Sequence, residues 1–568
     1  MEIKEGETIS GQINLESWAS VEPVFNELLN RENTSVDDLR RWLQDKSEIE
    51  GILQEELGWR YIRQTCDTRN EKFRAELEFF INEIEPHLSE IGDKLNRKFL
   101  DSPFLSELPE SGFAILIRGI RKSVEMFRKD NIPLQTELQL LGNEYGRITG
   151  AMTVEVNGEE MTFQKAANLL KSNDRALRRE VYEKINRRRI VDRGQLEELF
   201  DKMLVLRQKV AENAGYSNFR DYMFDALGRF DYSPEDCLDF HTSIENIVVP
   251  VCNQFDEVRK SKLGYEKLFP WDTETDPEGR EPLEPFKNTA ELTDKTIECF
   301  DKIRNNYGNV IELMKKEGHL DLETRVGKAP GGYNYPLYKS GLPFIFMHAS
   351  GSLRDMVTMM HEGGHALHSW LSKDLELNDF KNTPSEIAEV ASMAMELLSM
   401  EHWETFFSDK NTLERARRYQ LEKIISILPW IATVDAFQHW IYTNPGHSPE
   451  ERAAEWAKLQ KRFGSKVIDK SEFPEFETHS WQRQLHIFEV PFYYIEYAIA
   501  QLGAIGIWKN YISTDPQKAL DSYEESLRAG YMYGLPELYN RAGIRFDFSE
   551  EYVRGLVDMV AEKAFALD

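Results

Sequence analysis

In Ser352-Leu-Arg-Asp-Met-Val-Thr-Met-Met-His361-Glu-Gly-Gly-His365-Ala-Leu-His-Ser-Trp370, two histidines stand four positions apart and a glutamate follows the first. Leu353, Val357, Met360, Leu367 and Trp370 recur at roughly helical intervals, and Ser352 with Asp355 three positions on makes a capping-box pattern. The spacing therefore predicts a helix that starts just after Gly351. On a helix, positions i and i+4 lie one above the other, so both imidazoles reach a single ion while Glu362 projects beside it. A zinc ion with three protein ligands and one open position lowers the pKa of its bound water toward ~7, and an adjacent carboxylate can take the proton. Glu362 is the expected general base. The paired Gly363 and Gly364 each cost such a helix roughly 1 kcal/mol relative to alanine, which implies that something approaches the backbone there.

A third ligand is expected on a second helix shortly downstream, Ser385-Glu-Ile-Ala-Glu389-Val-Ala-Ser-Met-Ala-Met-Glu396-Leu-Leu. Glu386 falls in the first turn, where a carboxylate simply complements the helix dipole. Glu389 and Glu396 are seven apart on a face flanked by apolar residues, and an acid there needs a partner. Zinc suits Glu389. For Glu396 the alternatives are the ring N–H of a liganding histidine and a plain salt bridge.

Several stretches together resemble the oligoendopeptidase F group of thimet-oligopeptidase-like zinc peptidases. They are Gly331-Gly-Tyr333, Pro343-Phe-Ile-Phe346, His361 to Ser369, Pro384-Ser-Glu-Ile-Ala-Glu-Val-Ala-Ser392, His486-Ile-Phe-Glu-Val-Pro-Phe-Tyr-Tyr-Ile-Glu-Tyr497 and Ala542-Gly-Ile-Arg-Phe-Asp-Phe548. The resemblance implies one zinc per chain on His361, His365 and Glu389, with Glu362 as base. It also implies a histidine and tyrosines from the 486–497 region in the catalytic cleft, which points to His486, Tyr493 and Tyr497. The fold it implies is mainly α and two-lobed, with a deep substrate channel and small β-hairpin elements. An N-terminal helical lobe, residues 1–200, would cover a zinc site built on the catalytic helical domain, residues 201–568. Access through a channel would restrict substrates to short, unfolded peptides. Pro491, Phe492 and Ile495 depart from the glycine-rich loop of the more distant thimet-type pattern and make this segment stiffer.

Tyr493 and Tyr497 stand four apart on a predicted long apolar helix, 490–508. A tyrosine hydroxyl or an imidazole can donate to the oxyanion of a tetrahedral intermediate. The competing reading makes these aromatics core residues with a hydroxyl at the surface. Residues 333–338 and 343–349, joined by Lys339-Ser-Gly-Leu, predict a β-hairpin whose open edge could accept an extended peptide by main-chain hydrogen bonds. Tyr333 and His348 there, and Tyr494 in the later segment, are the candidate substrate-binding residues. The competing reading makes His348 a satisfied histidine packed under the zinc helix, and that reading is the favoured one.

Composition sets the outer bounds. A chain of 568 residues exceeds what one simple core holds, so two or more lobes with a cleft between them are expected. A formal net charge of −28 disfavours nucleic-acid and anionic-membrane partners. No apolar run of ~18 residues occurs, and the acidic opening Met1-Glu-Ile-Lys-Glu-Gly-Glu-Thr8 gives no leader, so a cytoplasmic protein is expected. Cys66, Cys237, Cys252 and Cys299 show no pairing or metal spacing and read as reduced, inert thiols. Amphipathic helices open the chain: one begins at Ser35, and Ile49, Ile52, Leu53 and Leu57 mark the stripe of the next. Met152 to Phe163 alternates across Asn157-Gly158, a hairpin signal. The charge run Arg175–Arg189 reads as solvated faces, and the proline-rich, acidic Leu268–Phe286 as a long connection. Three function classes remain: a zinc endopeptidase acting on oligopeptides, a metallocarboxypeptidase of similar helical build, and a catalytically inactive peptide-binding protein. The carboxypeptidase would need a cation in the cleft for the free carboxylate, and retention of Glu362 argues against the inactive binder.

Overall fold

Serine caps start the first of the described helices. Ser17 precedes α1 (Trp18–Asn30), and Ser35, whose side chain accepts from Asp38 N, precedes α2 (Val36–Cys66). The computed structural model describes residues 17–325, 327–329 and 331–567; the acidic opening Met1–Thr8, read above as lacking a leader, lies outside them. The two amphipathic segments expected from Ser35 and from the Ile49 stripe are one helix, because no breaker separates them. Gly51 falls mid-helix where a Cβ would meet the Asn378 side-chain amide at 2.4 Å. Val21, Phe25 and Leu28 of α1 pack on Leu39, Trp42, Leu43, Ile49 and Leu53 of α2, joined by α3 (Glu85–Leu100) and α4 (Phe113–Met126). Leu377 and Phe380, from beyond the histidine motif, complete this core and so seal the N-terminal helices to the half that carries the site.

The Asn157-Gly158 signal is realised as β1 (Thr153–Val156) paired antiparallel with β2 (Glu159–Thr162). Asn157 and Gly158 both have positive φ, 55° and 79°, the geometry that matches a hairpin turn to strand twist. Val154, Val156 and Met161 rest on Val181 and Ile185 of α5 (Arg175–Val191). The charge run on α5 is not wholly solvated, contrary to the sequence reading. Arg178, 1% exposed, donates to Asp272 Oδ1 at 2.9 Å and to Trp271 O at 2.9 Å, while Arg175 donates to Asp272 Oδ2 at 2.7 Å. These arginines anchor the long connection 268–286, whose Trp271 and Asp272 are buried.

A second sheet has the order β3-β5-β4. Here β4 (Tyr333–Tyr335) pairs antiparallel with β5 (Phe344–Ala349), as the hairpin reading expects, and β3 (Leu320–Glu323) adds a parallel strand on the other side. The chain is mainly α, as expected.

Beneath this sheet lies the helical core. It includes α6 (Pro234–Ser243) and the motif helix α7 (Leu353–Ser372); α8 (Ser385–Met400) packs between α7 and α10 (Tyr494–Ser513), with α9 (Leu428–Thr443) alongside α10. The glycines fix how closely they meet. A Cβ at Gly364 would lie 2.6 Å from Ser392 Cα and 2.8 Å from Ala391 O, and one at Gly503 would lie 2.9 Å from Val390 Cγ2. The helix predicted over 490–508 is shorter at its start and longer at its end. Pro491 lacks an N–H, Phe492 takes φ 69° and donates its N–H to Gln438 Oε1, and α10 therefore begins only at Tyr494. Among the described residues, one stretch is long and apolar enough to cross a membrane, Lys410–Thr443, and 78% of its apolar window is buried inside the protein.

Candidate metal centre and catalytic cleft

Helical spacing puts the two motif histidines on one face of α7, and the close approach of α8 at Gly364 brings Glu389 to meet them. Glu389 Oε2 lies 3.3 Å from His361 Nε2 and 3.7 Å from His365 Nε2. Two ligands about 2.0–2.1 Å from a tetrahedral zinc stand about 3.3 Å apart, so this donor set fits the ion in both chemistry and spacing. The backbone approach implied by the paired glycines is that of the protein itself. Phe300 Cζ would sit 2.7 Å from a Cβ at Gly363, and α8 backbone fills the space at Gly364.

Glu396 lies two turns along α8 from Glu389. Its Oε1 accepts from His361 Nδ1 at 2.7 Å and its Oε2 from Gln420 Nε2 at 2.8 Å, which fixes the imidazole with Nε2 toward Glu389. Burial opposes a charge on His361, yet its hydrogen bonds with Glu389 and Glu396 hold it well above the ordinary 6.5 in the metal-free protein. Burial would also raise Glu389, but the His361 hydrogen bond and the charges of both imidazoles bring it down to about 2. Burial pushes His365 down to about 4.

Glu362 is 6% exposed, and its Oε2 has no hydrogen-bond partner among the described residues. Burial, opposed by the charge of His361, pushes its carboxyl up to about 7. An unpaired buried carboxylate oxygen beside a cluster that could hold an ion is what a proton acceptor for an attacking water requires. Asn334 Nδ2 donates to Glu362 O at 3.2 Å and ties β4 to the motif helix.

The structure also gathers the aromatic group of residues 486–497. Tyr493, at the cap of α10, donates its hydroxyl to Glu389 Oε1 at 2.8 Å, so it holds the free oxygen of the candidate ligand. The Tyr497 hydroxyl lies 3.4 Å from His486 Nε2, whose Nδ1 is 2.8 Å from Gln484 Nε2. Tyr494 meets His486 with ring planes tilted by 59° and centroids 4.9 Å apart. Burial drives His486 down to about 4, leaving it neutral near pH 7, and raises the phenols of Tyr493 and Tyr497, leaving them protonated donors. Tyr333 and His348 have their polar groups engaged elsewhere. The Tyr333 hydroxyl pairs with Thr65 Oγ1 at 2.6 Å and its ring stacks on Phe346, while His348 Nε2 bonds Ala329 O at 2.6 Å. Sequence reasoning missed Gln420 and Asn334. Gln420 sits in an ordinary charged helix without a signal, whereas an amide between two tyrosines of a strand could have been noticed.

Residues 168–558 match the model of peptidase family M3, and residues 12–127 match the peptidase M3 N-terminal domain. The chain belongs to peptidase family M3. The resemblance stated from the motifs is thus borne out. Among curated relatives, an oligoendopeptidase F homolog of Borreliella burgdorferi is 27% identical over 50% of this chain and 48% of its own length. Oligopeptidase PepF of Bacillus subtilis is 22% identical over 72% of this chain and 59% of its own length. The aligned part of the chain therefore spans about half to three fifths of these relatives. A solved structure of PZ peptidase A with inhibitor 2 superposes with a TM-score of 0.91 at 25% identity, covering 98% of each chain. Oligoendopeptidase-F from Enterococcus faecium, at 16% identity and a TM-score of 0.66 over 97% of each chain, shares the fold.

Proposed function

We propose that this M3 chain is a zinc-dependent endopeptidase that hydrolyses short, unfolded oligopeptides in the cytoplasm. The observation that carries this reading is the buried Glu362 with one free oxygen beside the His361, His365 and Glu389 donor set. Those three residues would hold one zinc ion, which when bound supplies a Lewis acid for the scissile carbonyl and makes a water acidic near neutral pH. Glu362 takes the proton of the attacking water at its free oxygen and passes it to the departing amine nitrogen. In the metal-free protein burial holds this carboxyl up at about 7, which makes it a readier proton acceptor than a solvated glutamate. His486 and Tyr497 form a neutral donor pair for the developing oxyanion, and Tyr494 flanks the substrate beside them. Tyr493 keeps Glu389 oriented, and Glu396 with Gln420 keeps His361 in the right tautomer.

The N-terminal lobe, residues 1–200, covers a channel over the catalytic domain, residues 201–568, and acts as a size filter. Extended peptide pairs with main-chain groups near β4, where Tyr333 and His348 support the strand and define its wall. The test is cleavage of a short, end-blocked, internally quenched peptide before and after chelation. Activity lost with the metal and restored by zinc is the expected result. Cleavage confined to unblocked peptides would instead mark a carboxypeptidase, and none at all with a full zinc site an inactive binder.

A further inference from the structure

Two helices far apart in sequence each carry an i, i+4 pair of metal-ligating residue types: Cys237 and His241 on α6, and Asp435 and His439 on α9. Such spacing puts both members on one face, and the fold turns the two faces together. Ligand atoms of Cys237, Asp435 and His439 all lie within 4.8 Å of one another, and all three residues are buried. His439 Nε2 stands 3.3 Å from Asp435 Oδ2, the same separation as His361 Nε2 from Glu389 Oε2. It makes no hydrogen bond there. Both ring nitrogens of His439, Asp435 Oδ1 and His241 Nδ1 are buried without hydrogen-bond partners among the described residues. Polar groups so far from water ordinarily find partners, so a cluster with this many orphans calls for a shared one. His241 Nε2 holds Asp435 Oδ2 from outside at 2.8 Å, as outer partners of a liganding carboxylate do.

We propose that Cys237, Asp435 and His439 form a second, structural site for zinc or a similar borderline divalent ion, separate from the catalytic cluster. A thiolate, an imidazole and a carboxylate are a zinc-type donor set, and the thiol gives up its proton on coordination. Its position suggests its use. Gln438, next to His439, accepts the Phe492 N–H at 2.7 Å, the Phe492 ring meets His439 edge-on at 5.4 Å, and Arg229 donates to Phe492 O. Phe492 is the positive-φ residue that aims Tyr493 at Glu389, so an ion here clamps α6 and α9 beneath the turn that orients the candidate catalytic ligand.

The test is made on the full chain produced in cobalt-supplemented, zinc-free medium. Two cobalt equivalents per chain and an intense near-ultraviolet thiolate-to-cobalt charge-transfer band are expected. The catalytic cluster contains no sulfur, so the band reports the buried site alone. Cys237→Ser should lose the band and one equivalent, and His361→Ala should lose one equivalent while keeping the band. Should Cys237→Ser not fold, the band must survive Cys66→Ser, Cys252→Ser and Cys299→Ser. A single equivalent without the band, a band that persists in Cys237→Ser, or one lost with another cysteine would overturn the proposal.

Discussion

Glu362 differs from its neighbouring carboxylates in keeping one oxygen, Oε2, without a hydrogen-bond partner among the described residues: Glu389 faces two imidazoles and Tyr493, and Glu396 faces His361 and Gln420. Glu362→Gln preserves shape and removes the proposed proton acceptor. Its kcat should fall by at least about 100-fold, with zinc content by elemental analysis unchanged. Glu396→Gln removes the carboxylate that aims His361, and zinc affinity in a competitive chelator titration should weaken about 10–100-fold. The two tyrosines should part ways. Tyr497→Phe removes the proposed oxyanion donor and should lower kcat by about 100-fold with little change in KM, whereas Tyr493→Phe releases Glu389 and should weaken zinc binding first. Equal zinc affinity in Tyr493→Phe and wild type would refute its positioning role. The histidine pair was legible because helical spacing alone places both rings on one face. The Tyr493 contact was not, because a regular helix through 490–508 hides the turn at Phe492 that redirects the side chain.

Elements read well wherever local chemistry decided them. Asn157-Gly158 carries the positive φ that its hairpin needs, and the Ser352–Asp355 box forms as spaced. The strand β3 escaped because four residues with one buried side chain carry too little pattern, and Arg178 escaped because its partner Asp272 lies 94 positions away. That pair yields a stability prediction. Asp272→Ala strands a buried guanidinium and should cost about 3–5 kcal/mol, read by denaturant unfolding. The crossing of α7 and α8 yields another. Gly364→Ala should help an isolated helix by roughly 1 kcal/mol, but here the new methyl meets α8 backbone at 2.6–2.8 Å, which cannot yield as a side-chain tip can. Forcing the helices apart moves His361 and His365 away from Glu389, so both zinc affinity and melting temperature should fall. A stabilised variant with full zinc affinity would show that the crossing does not set the site.

Across the whole molecule, the site is wired to distant parts. Leu377 and Phe380 complete the N-terminal core, Arg40 donates to Glu376 Oε2 at 2.6 Å, and Thr65 of α2 pairs with Tyr333 of the sheet over the motif helix. Stabilisation by zinc at α7 and α8 should therefore shift one cooperative transition that includes the N-terminal helices, by about 4 kcal/mol when free zinc is ~1,000 times its Kd. The pH dependence of that shift follows from His361. Its folded pKa is raised well above 6.5, so in the metal-free chain its ion pairs contribute fully below 6.5, and that contribution is lost as pH rises through the higher folded value. Glu389 adds no dependence in this window, because a pKa lowered to about 2 leaves its contribution intact until far more acidic conditions. Zinc must expel the His361 proton to bind, so the proton competes with it most on the acidic side. The difference in melting temperature between zinc-loaded and chelated protein should accordingly widen from slightly acidic to mildly alkaline buffer. It should do so less in Glu396→Gln, where His361 holds its proton less tightly. A difference that stays flat or narrows with rising pH would mean that His361 is not the proton-competing ligand.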